Sequence, residues 1–357
     1  MMSIDNITHT NQPIAEDDFL EYALSQGFSD LHFKVDPQTG MKAMIAIHST
    51  KLGPALGGCR FIEYPNTAAA LKDAMRLARG MSYKAASVNL PLGGGKSVIM
   101  KPQGPFDRTA YMHQFGQFIN ELNGRYITAL DSGTVLNDMD IIAEHTNYVA
   151  SLSKYNGDPS PSTSKGVLRG IQAAVAFKLG KNSLEGIHVA IQGLGHVGYL
   201  LAKHLHELGA TLTVADISPA TVELAVKEFG AKAVASESIH KVPCDVFSPC
   251  ALGAIINDIS IAQLQTTIIA GAANNQLAQS IHGQKLHDKD ILFAADYVIN
   301  AGGLIFAASK YLHTPESQVA EQIDGIYTSL IEIFTRSAKD NLPASQVADT
   351  LAQDKLA

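Results

Sequence analysis

Between residues 187 and 216 the chain leaves room for very few folds. Ile187-His188-Val189-Ala190-Ile191-Gln192 is a β-branched, largely apolar run. Gly193-Leu194-Gly195-His196-Val197-Gly198 follows without a gap. A helical pattern then continues to Leu208, and Thr211-Leu212-Thr213-Val214-Ala215 ends at Asp216. Strand, Gly-x-Gly-x-x-Gly turn, helix, strand and acidic residue, in that order, predict a parallel βαβ unit. The glycines allow a tight turn and let the backbone approach a pyrophosphate, whose charge the first turn of the helix stabilises. Gly193, Leu194, Gly195, His196, Val197 and Gly198 are therefore candidate dinucleotide-binding residues. Asp216 lies 23 positions beyond Gly193. It can accept hydrogen bonds from the adenosine ribose hydroxyls and repels a 2′-phosphate, which favours NAD over NADP. The competing reading is a glycine turn in an α/β domain that binds no ligand.

Strands and helices keep alternating beyond Asp216. Residues 223–229 read as a helix, and residues 267–271 and 291–294 read as strands. Their polar or glycine-rich continuations, Ala272-Ala273-Asn274-Asn275-Gln276 and Asn300-Ala301-Gly302-Gly303-Leu304, fall where an open parallel sheet presents its ligand edge. Asn274 and Asn275 offer amides there, with a plain turn role as the alternative for one of them. Residues 316–339 predict a long amphipathic helix with Val319, Ile323, Ile326, Tyr327, Leu330 and Ile333 on one face. Residues 155–162, rich in Gly, Pro and Ser, form the best linker in the chain.

The half before that linker carries different chemistry. Residues 4–23 read as an acidic helical lead-in, and residues 30–35 and 41–48 as the strands of a hairpin. Residues 52–60 are loop-rich and lead into a third strand. Asn66 reads as the N-cap of a helix over 68–81, with Lys84 just beyond it. Gly93-Gly94-Gly95, in front of Lys96 and nine to eleven positions after Lys84, would let the backbone bend tightly and let a substrate come close. Apolar or small residues surround both lysines. In a cleft such an ammonium loses solvation, its pKa falls, and it becomes a general base near neutral pH. The plainer alternative is a glycine turn with a solvated lysine. Residues 125–130 predict a short strand that ends at Asp131.

Composition removes several classes. The 357 residues are 46% hydrophobic and 17% charged, which predicts a globular chain of two domains. A net charge of -7 and the lack of any basic block argue against a nucleic-acid partner. Three cysteines, Cys59, Cys244 and Cys250, are too few and too irregular for a disulfide framework or a zinc cage. The thirteen histidines are scattered, and no metal site is expected. His204 and His206 are two apart on a helix and so lie on different faces. No secretory signal and no membrane-spanning run is legible, which points to the cytoplasm.

Several stretches together resemble one family, the amino acid dehydrogenases acting on leucine, phenylalanine, valine and glutamate. Residues 52–60 resemble its glycine-rich substrate loop, and residues 80–86 and 92–99 its two lysine segments. Residues 125–134 (Arg-Tyr-Ile-Thr-Ala-Leu-Asp-Ser-Gly-Thr) resemble its catalytic aspartate segment. Residues 249–253, 271–276 and 296–304 match three stretches of its coenzyme domain. Leu130 stands where an acid is usual in leucine dehydrogenases.

The resemblance implies an α/β protein of two domains with the active-site cleft between them. An N-terminal catalytic and oligomerisation domain would span 1–155, with a C-terminal helix of about 338–357 packing back on it. A Rossmann NAD-binding domain would span 156–337. It also implies roles: Lys84 for the substrate carboxylate, helped by Asn274 or Asn275; Lys96 as the base that activates water; Asp131 as the proton shuttle at the amine; Thr163 for the nicotinamide carboxamide. The implied side-chain pocket is Leu56, Gly57, Met81, Ala129, Leu304 and Ala307. It is apolar and has no charge to hold a second carboxylate. The expected activity is NAD-dependent oxidative deamination of leucine, with valine and isoleucine, by a homo-oligomer. Phenylalanine is the alternative substrate, and a non-catalytic NAD or amino acid sensor the alternative function.

Overall fold

The computed structural model describes residues 18–155 and 157–357. Residues 4–17 of the expected lead-in lie outside them. The chain divides into two compact units. One is built from residues up to 85 and 91–155, the other from 86–90 and 157–355.

The first unit runs α1 (Phe19–Ser25), β1 (Asp30–Asp36), β2 (Met41–Ser49), β3 (Ala55–Ile62), α2 (Thr67–Ser87), β4 (Gly93–Met100), α3 (Arg108–Glu121), β5 (Tyr126–Leu130) and α4 (Leu136–Ala143). Its five strands lie in the order β1-β2-β4-β3-β5. The β1–β2 and β2–β4 pairs are antiparallel, whereas β3 runs parallel to both β4 and β5. Strand β2 shows why the sheet is covered on both faces. Met41, Ala43, Ile45 and Ile47 pack with Tyr111, Phe115, Ile119, Met139 and Ile142. The intervening Met44 and Ala46 pack with Ala70, Leu71, Ala74, Met75 and Ala78. Side chains alternate between faces along a strand, so a strand buried on both sides reads as one apolar run.

Three expectations about this unit are corrected. The Asn66 side chain does cap α2, accepting the Ala69 N–H at 2.8 Å. That helix does not stop at Met81, however; it continues to Ser87 and carries Lys84 in its last turn. Residues 57–60 are strand, not loop. Gly93-Gly94-Gly95 is likewise the start of β4, not a bend. These glycines serve close approach. A Cβ on Gly57 would fall 1.8 Å from the Gly95 carbonyl oxygen, on Gly93 1.9 Å from the Ser49 carbonyl oxygen, and on Gly94 2.0 Å from the Ser82 nitrogen. Glycine inside a strand marks such contacts as often as it marks a turn.

The second unit holds α5 (Ser160–Leu179), β6 (His188–Gln192), α6 (His196–Glu207), β7 (Thr211–Ala215), α7 (Pro219–Phe229), β8 (Lys232–Ala233), β9 (Val246–Pro249), α8 (Asp258–Gln263), β10 (Ile268–Ile269), α9 (Ile281–Asp288), β11 (Leu292–Phe293), α10 (Asp296–Ile299), α11 (Gly302–Leu312), α12 (Glu316–Asp340) and α13 (Ala344–Leu356). All paired strands are parallel, in the order β11-β10-β9-β6-β7-β8. This is the doubly wound arrangement, with its switch point between β6 and β9. The stretches read as strands over 267–271 and 291–294 shrink to two paired residues each. On α12, Ile323, Ile326, Leu330 and Ile333 are buried as the periodicity requires, while Val319 and Tyr327 are only half-buried. Phe177 of α5 packs on Phe334 of α12 with ring centroids 5.5 Å apart. Residues 344–355 of α13 count with this unit, where the Tyr297 hydroxyl donates to Asp349 at 2.9 Å. Among the described residues no helix is long and apolar enough to cross a membrane.

Candidate active site

The first unit gathers polar side chains where the end of β5 meets the middle of the parallel strands β3 and β4. Strand β3 sits between β4 and β5, with Cys59 opposite both Ser97 and Leu130. Lys96 projects from β4, and Asp131 is the first residue after β5. Between them lies Gly58 of β3. A Cβ there would fall 2.7 Å from both Cβ and Oδ2 of Asp131. The missing side chain leaves room for the Asp131 carboxylate to reach the Lys96 ammonium, with which it forms an ion pair. Asp131 is held in a turn. Its Oδ1 accepts the Ser132 N–H at 2.6 Å, and its own N–H donates to Thr134 Oγ1 at 3.0 Å. Behind Lys96, the buried Tyr126 hydroxyl donates to the Gly57 carbonyl at 2.7 Å and lies 2.9 Å from Ser97 Oγ.

Lys96 is 5% exposed. Burial pushes its pKa down to about 7, and the neighbouring Arg60 and Lys84 cations push in the same direction. An amine near its titration point in contact with a carboxylate can give and take a proton at neutral pH. Lys84 stands on the last turn of α2, three residues from Met81 and on the same face. Gly94 allows that end of the helix to rest directly on β4. Of the expected pocket, Leu56, Gly57 and Ala129 are buried and Met81 is half-buried in this unit.

Arg60 is a site residue that the sequence reading passed over. Its Nε lies 3.7 Å from Asp131 Oδ2, and its guanidinium donates to Asp73 at 2.7 Å. The Tyr64 hydroxyl donates to the same Asp73 oxygen at 2.7 Å. Asp73 thus fixes the cation that faces the Lys96–Asp131 pair. A signal was present: Arg60 is the one charged residue in Ala-Leu-Gly-Gly-Cys-Arg-Phe-Ile, the whole of β3. Asp73 was masked by Arg76, which makes it look like half of an exposed i,i+3 pair.

In the second unit the glycine-rich turn has the required form. Gly193 adopts φ +96°. A Cβ on Gly198 would fall 2.0 Å from the Gly193 carbonyl oxygen, so only glycine lets α6 start this close to β6. Nothing lies within 4 Å of a Cβ placed on Gly195, the exposed N-cap of α6. No side chain caps that helix, so its first N–H groups remain available to an anion. Leu194 is buried, His196 is exposed and Val197 is half-buried. Asp216 accepts the Leu194 N–H at 2.6 Å and the Ser218 N–H at 2.8 Å, one on each oxygen. It therefore braces the turn and keeps lone pairs for a ribose. The residues present fit a dinucleotide.

Thr163 lies apart from that turn, against the start of α11. A Cβ on Gly303 would fall 2.8 Å from Thr163 Oγ1, and one on Gly302 2.1 Å from the Ser162 carbonyl oxygen. Thr163 thereby neighbours the helix that carries Leu304, which is buried, and Ala307, which is half-buried. Asn274 and Asn275 separate in role. Asn275 takes the left-handed turn conformation, φ +52°, and its carbonyl accepts the Ala254 N–H at 2.7 Å. Asn274 Oδ1 accepts from the Asn300 amide at 2.8 Å, which fixes the orientation of its side chain. Asn300, 5% exposed, and Gln276, fully buried, brace this loop. Both sit in polar runs expected at the ligand edge of the sheet, but neither was singled out there for a role.

Comparison with known proteins places this geometry. Residues 27–148 match the family model described as Glu/Leu/Phe/Val dehydrogenase, dimerisation domain. Residues 218–357 match that of Glutamate/Leucine/Phenylalanine/Valine dehydrogenase. The chain is 46% identical to leucine dehydrogenase of Bacillus subtilis (strain 168), over 95% of this chain and 94% of that protein. It is also 46% identical to L-tryptophan dehydrogenase of Nostoc punctiforme, over 88% and 90%. The crystal structure of L-tryptophan dehydrogenase from Nostoc punctiforme superposes with a TM-score of 0.87 at 42% identity, covering 94% of this chain and 98% of that one. The chain is thus an NAD(P)-dependent amino acid dehydrogenase and belongs to the Glu/Leu/Phe/Val dehydrogenase family.

Proposed function

We propose that this chain catalyses the reversible, NAD-dependent oxidative deamination of L-leucine, and of valine and isoleucine, to the 2-oxo acid and ammonia. The observation that carries the chemistry is the buried Lys96 ammonium, brought to about 7 and paired with Asp131. Bound NAD supplies the hydride acceptor. The chain's own residues do the rest. Lys84 holds the substrate carboxylate, with the Asn274 amide as a further donor, and fixes the α-carbon. Asp131 takes a proton from the substrate ammonium. Neutral Lys96 removes a proton from water as the oxygen adds to the imine carbon. Asp131 returns its proton to nitrogen, the C–N bond breaks as the C=O forms, and the hydroxyl proton departs with the nitrogen as ammonium. Low solvent access at Lys96 keeps the base from bulk water.

The cofactor choice rests on Asp216, whose carboxylate disfavours a 2′-phosphate. Ile217, 94% exposed beside it, offers an apolar face to an adenine. We assign substrate binding and subunit contacts to residues 1–155, NAD binding to 156–337, and the assembly to a cytoplasmic homo-oligomer of at least two chains. The aliphatic preference rests on Ala129, Met81 and Leu304, which present apolar surface and no charge for a second carboxylate. An aromatic substrate is the second reading, because identity to the tryptophan-named relative equals that to the leucine-named one.

Initial rates with leucine, valine, isoleucine, phenylalanine, tryptophan and glutamate, each with NAD and NADP, decide between them. Preference for the aliphatic set with NAD supports the proposal. An aromatic preference moves the substrate and keeps the mechanism. No rate with any substrate leaves the sensor reading.

A further inference from the structure

We propose that the first unit carries a site for a divalent transition-metal ion of the zinc class, formed by His113, Glu144 and His145 and separate from the Lys96–Asp131 centre. His113 lies on α3, and Glu144 and His145 immediately follow α4. His113 Nδ1 and His145 Nε2 are 2.8 Å apart, with the rings edge to face and their centroids 5.0 Å apart. Glu144 Oε2 lies 3.7 Å from His113 Nδ1. One ligand atom from each of the three residues falls within 4.8 Å of the others.

The approach of the two histidines is built into the packing. Gly116 is one turn along α3 from His113, and a Cβ there would fall 2.7 Å from the Ile142 carbonyl oxygen and 3.1 Å from His145 Cβ. Any larger residue would hold the end of α4 away from α3. At the other end of α4, Arg108 of α3 grips the buried Asp138 at 2.6 Å. The helix is therefore fixed at both ends, and the two imidazoles are positioned by backbone rather than by long side chains.

The donor set suits imidazole-preferring ions. Zinc binds histidine nitrogen at about 2.0–2.1 Å and carboxylate oxygen at about 2.0–2.2 Å, usually with tetrahedral geometry, which sets two nitrogens roughly 3.3 Å apart. The present separation requires the rings to open by about half an ångström, within the freedom of half-exposed side chains. Two histidines and one carboxylate leave a fourth position for water. The partly exposed Glu144, with 61% of its side chain accessible, gives the ion a path in. A scatter of thirteen histidines hides such a site in the sequence, because its members are 32 residues apart.

Calorimetric titration of the chelator-treated full chain with zinc chloride tests the site, with cobalt chloride as a spectroscopic probe. Wild type should bind one zinc per chain at micromolar concentration. With cobalt it should show the visible absorption of a four- or five-coordinate nitrogen–oxygen site. His113→Ala and His145→Ala should each weaken zinc binding at least tenfold and remove the cobalt band, and Glu144→Gln should weaken it less. Zinc should raise the thermal midpoint of wild type and not that of the histidine variants. The amino acid dehydrogenase rate of His113→Gln and His145→Gln, measured without metal, should equal that of wild type and so reports correct folding. Unchanged zinc stoichiometry and affinity in a His113→Gln/His145→Gln double variant would overturn the proposal, as would zinc bound only at millimolar concentration.

Discussion

Replacing Lys96 by alanine tests the centre of the proposed mechanism, and its effect can be worked from the structure. An amine with the ordinary lysine pKa of 10.5 would be neutral in only about 1 molecule in 3000 at pH 7. With the pKa pushed down to about 7, about half the molecules carry the free base. The fold therefore raises the supply of base at that pH by roughly 1500-fold. A positioned general base contributes about 10²–10⁴ in rate, so kcat of Lys96→Ala should fall at least about 100-fold while NAD binding, followed by calorimetry, stays unchanged. The pH profile gives a second reading. For wild type, log kcat/KM for leucine should bend near pH 7 on the acid side, because the protonated amine is inactive. In Arg60→Met one of the cations that pushes Lys96 down is gone, so the bend should move to higher pH. The assay is the initial rate of NAD reduction by absorbance across the pH range. Near-normal turnover in Lys96→Ala, or an acid limb that stays in place in Arg60→Met, would refute the reasoning.

Further outcomes follow from the same geometry. The folded Lys96 pKa lies below its unfolded value, so the unfolded chain binds the extra proton between about pH 7 and 10.5 and stability rises with pH across that window. The ceiling is 3.5 units at 1.36 kcal/mol, about 5 kcal/mol, and urea unfolding should show that rise reduced in Lys96→Met. Gly58→Ala should lower activity with the fold intact, since its Cβ meets only the Asp131 side chain. Gly57→Ala should instead destabilise the protein by about 3 kcal/mol or more in thermal unfolding, since its Cβ meets the Gly95 backbone. Arg108→Ala leaves the Asp138 carboxylate, 1% exposed, with the Val135 N–H as its remaining partner, and should cost about 2–3 kcal/mol in urea unfolding. Asp216→Asn should raise KM for NAD and narrow the preference over NADP by about tenfold or more, and an unchanged ratio of the two rates would remove Asp216 from cofactor selection.

Much of this was legible in the sequence, and the failures share a cause. The βαβ unit around Gly193 was readable because strand, turn, helix and acid are adjacent in the chain and each has a local signature. The helix α12 followed from periodicity alone. Gly57, Gly58 and Gly93–95 were misread as loop and bend. A glycine shows in sequence only that no side chain is wanted; whether space or a positive φ is the reason depends on a partner strand far along the chain. Asn274 and Asn275 could not be told apart for the same reason, since Asn300 selects one of them from 26 residues away. Arg60, Asp73 and Tyr64 meet only when β3 folds against α2. Lys84 was placed just outside a helix expected over 68–81, whereas the helix runs on to Ser87.

The run of glycines in β3 and β4 also decides where this enzyme can change. Whatever surface they would present to the proposed substrate is peptide backbone, and it offers no side chain to exchange. Point mutation therefore finds no foothold there: each glycine is either filled by a neighbour's atoms or holds Asp131 in reach. In the proposed pocket the positions of this unit that carry replaceable side chains are Met81 and Ala129. Under the proposed reading, the glycine strands that hold the Lys96–Asp131 pair and the side chains that would select the substrate are thus open to different amounts of variation.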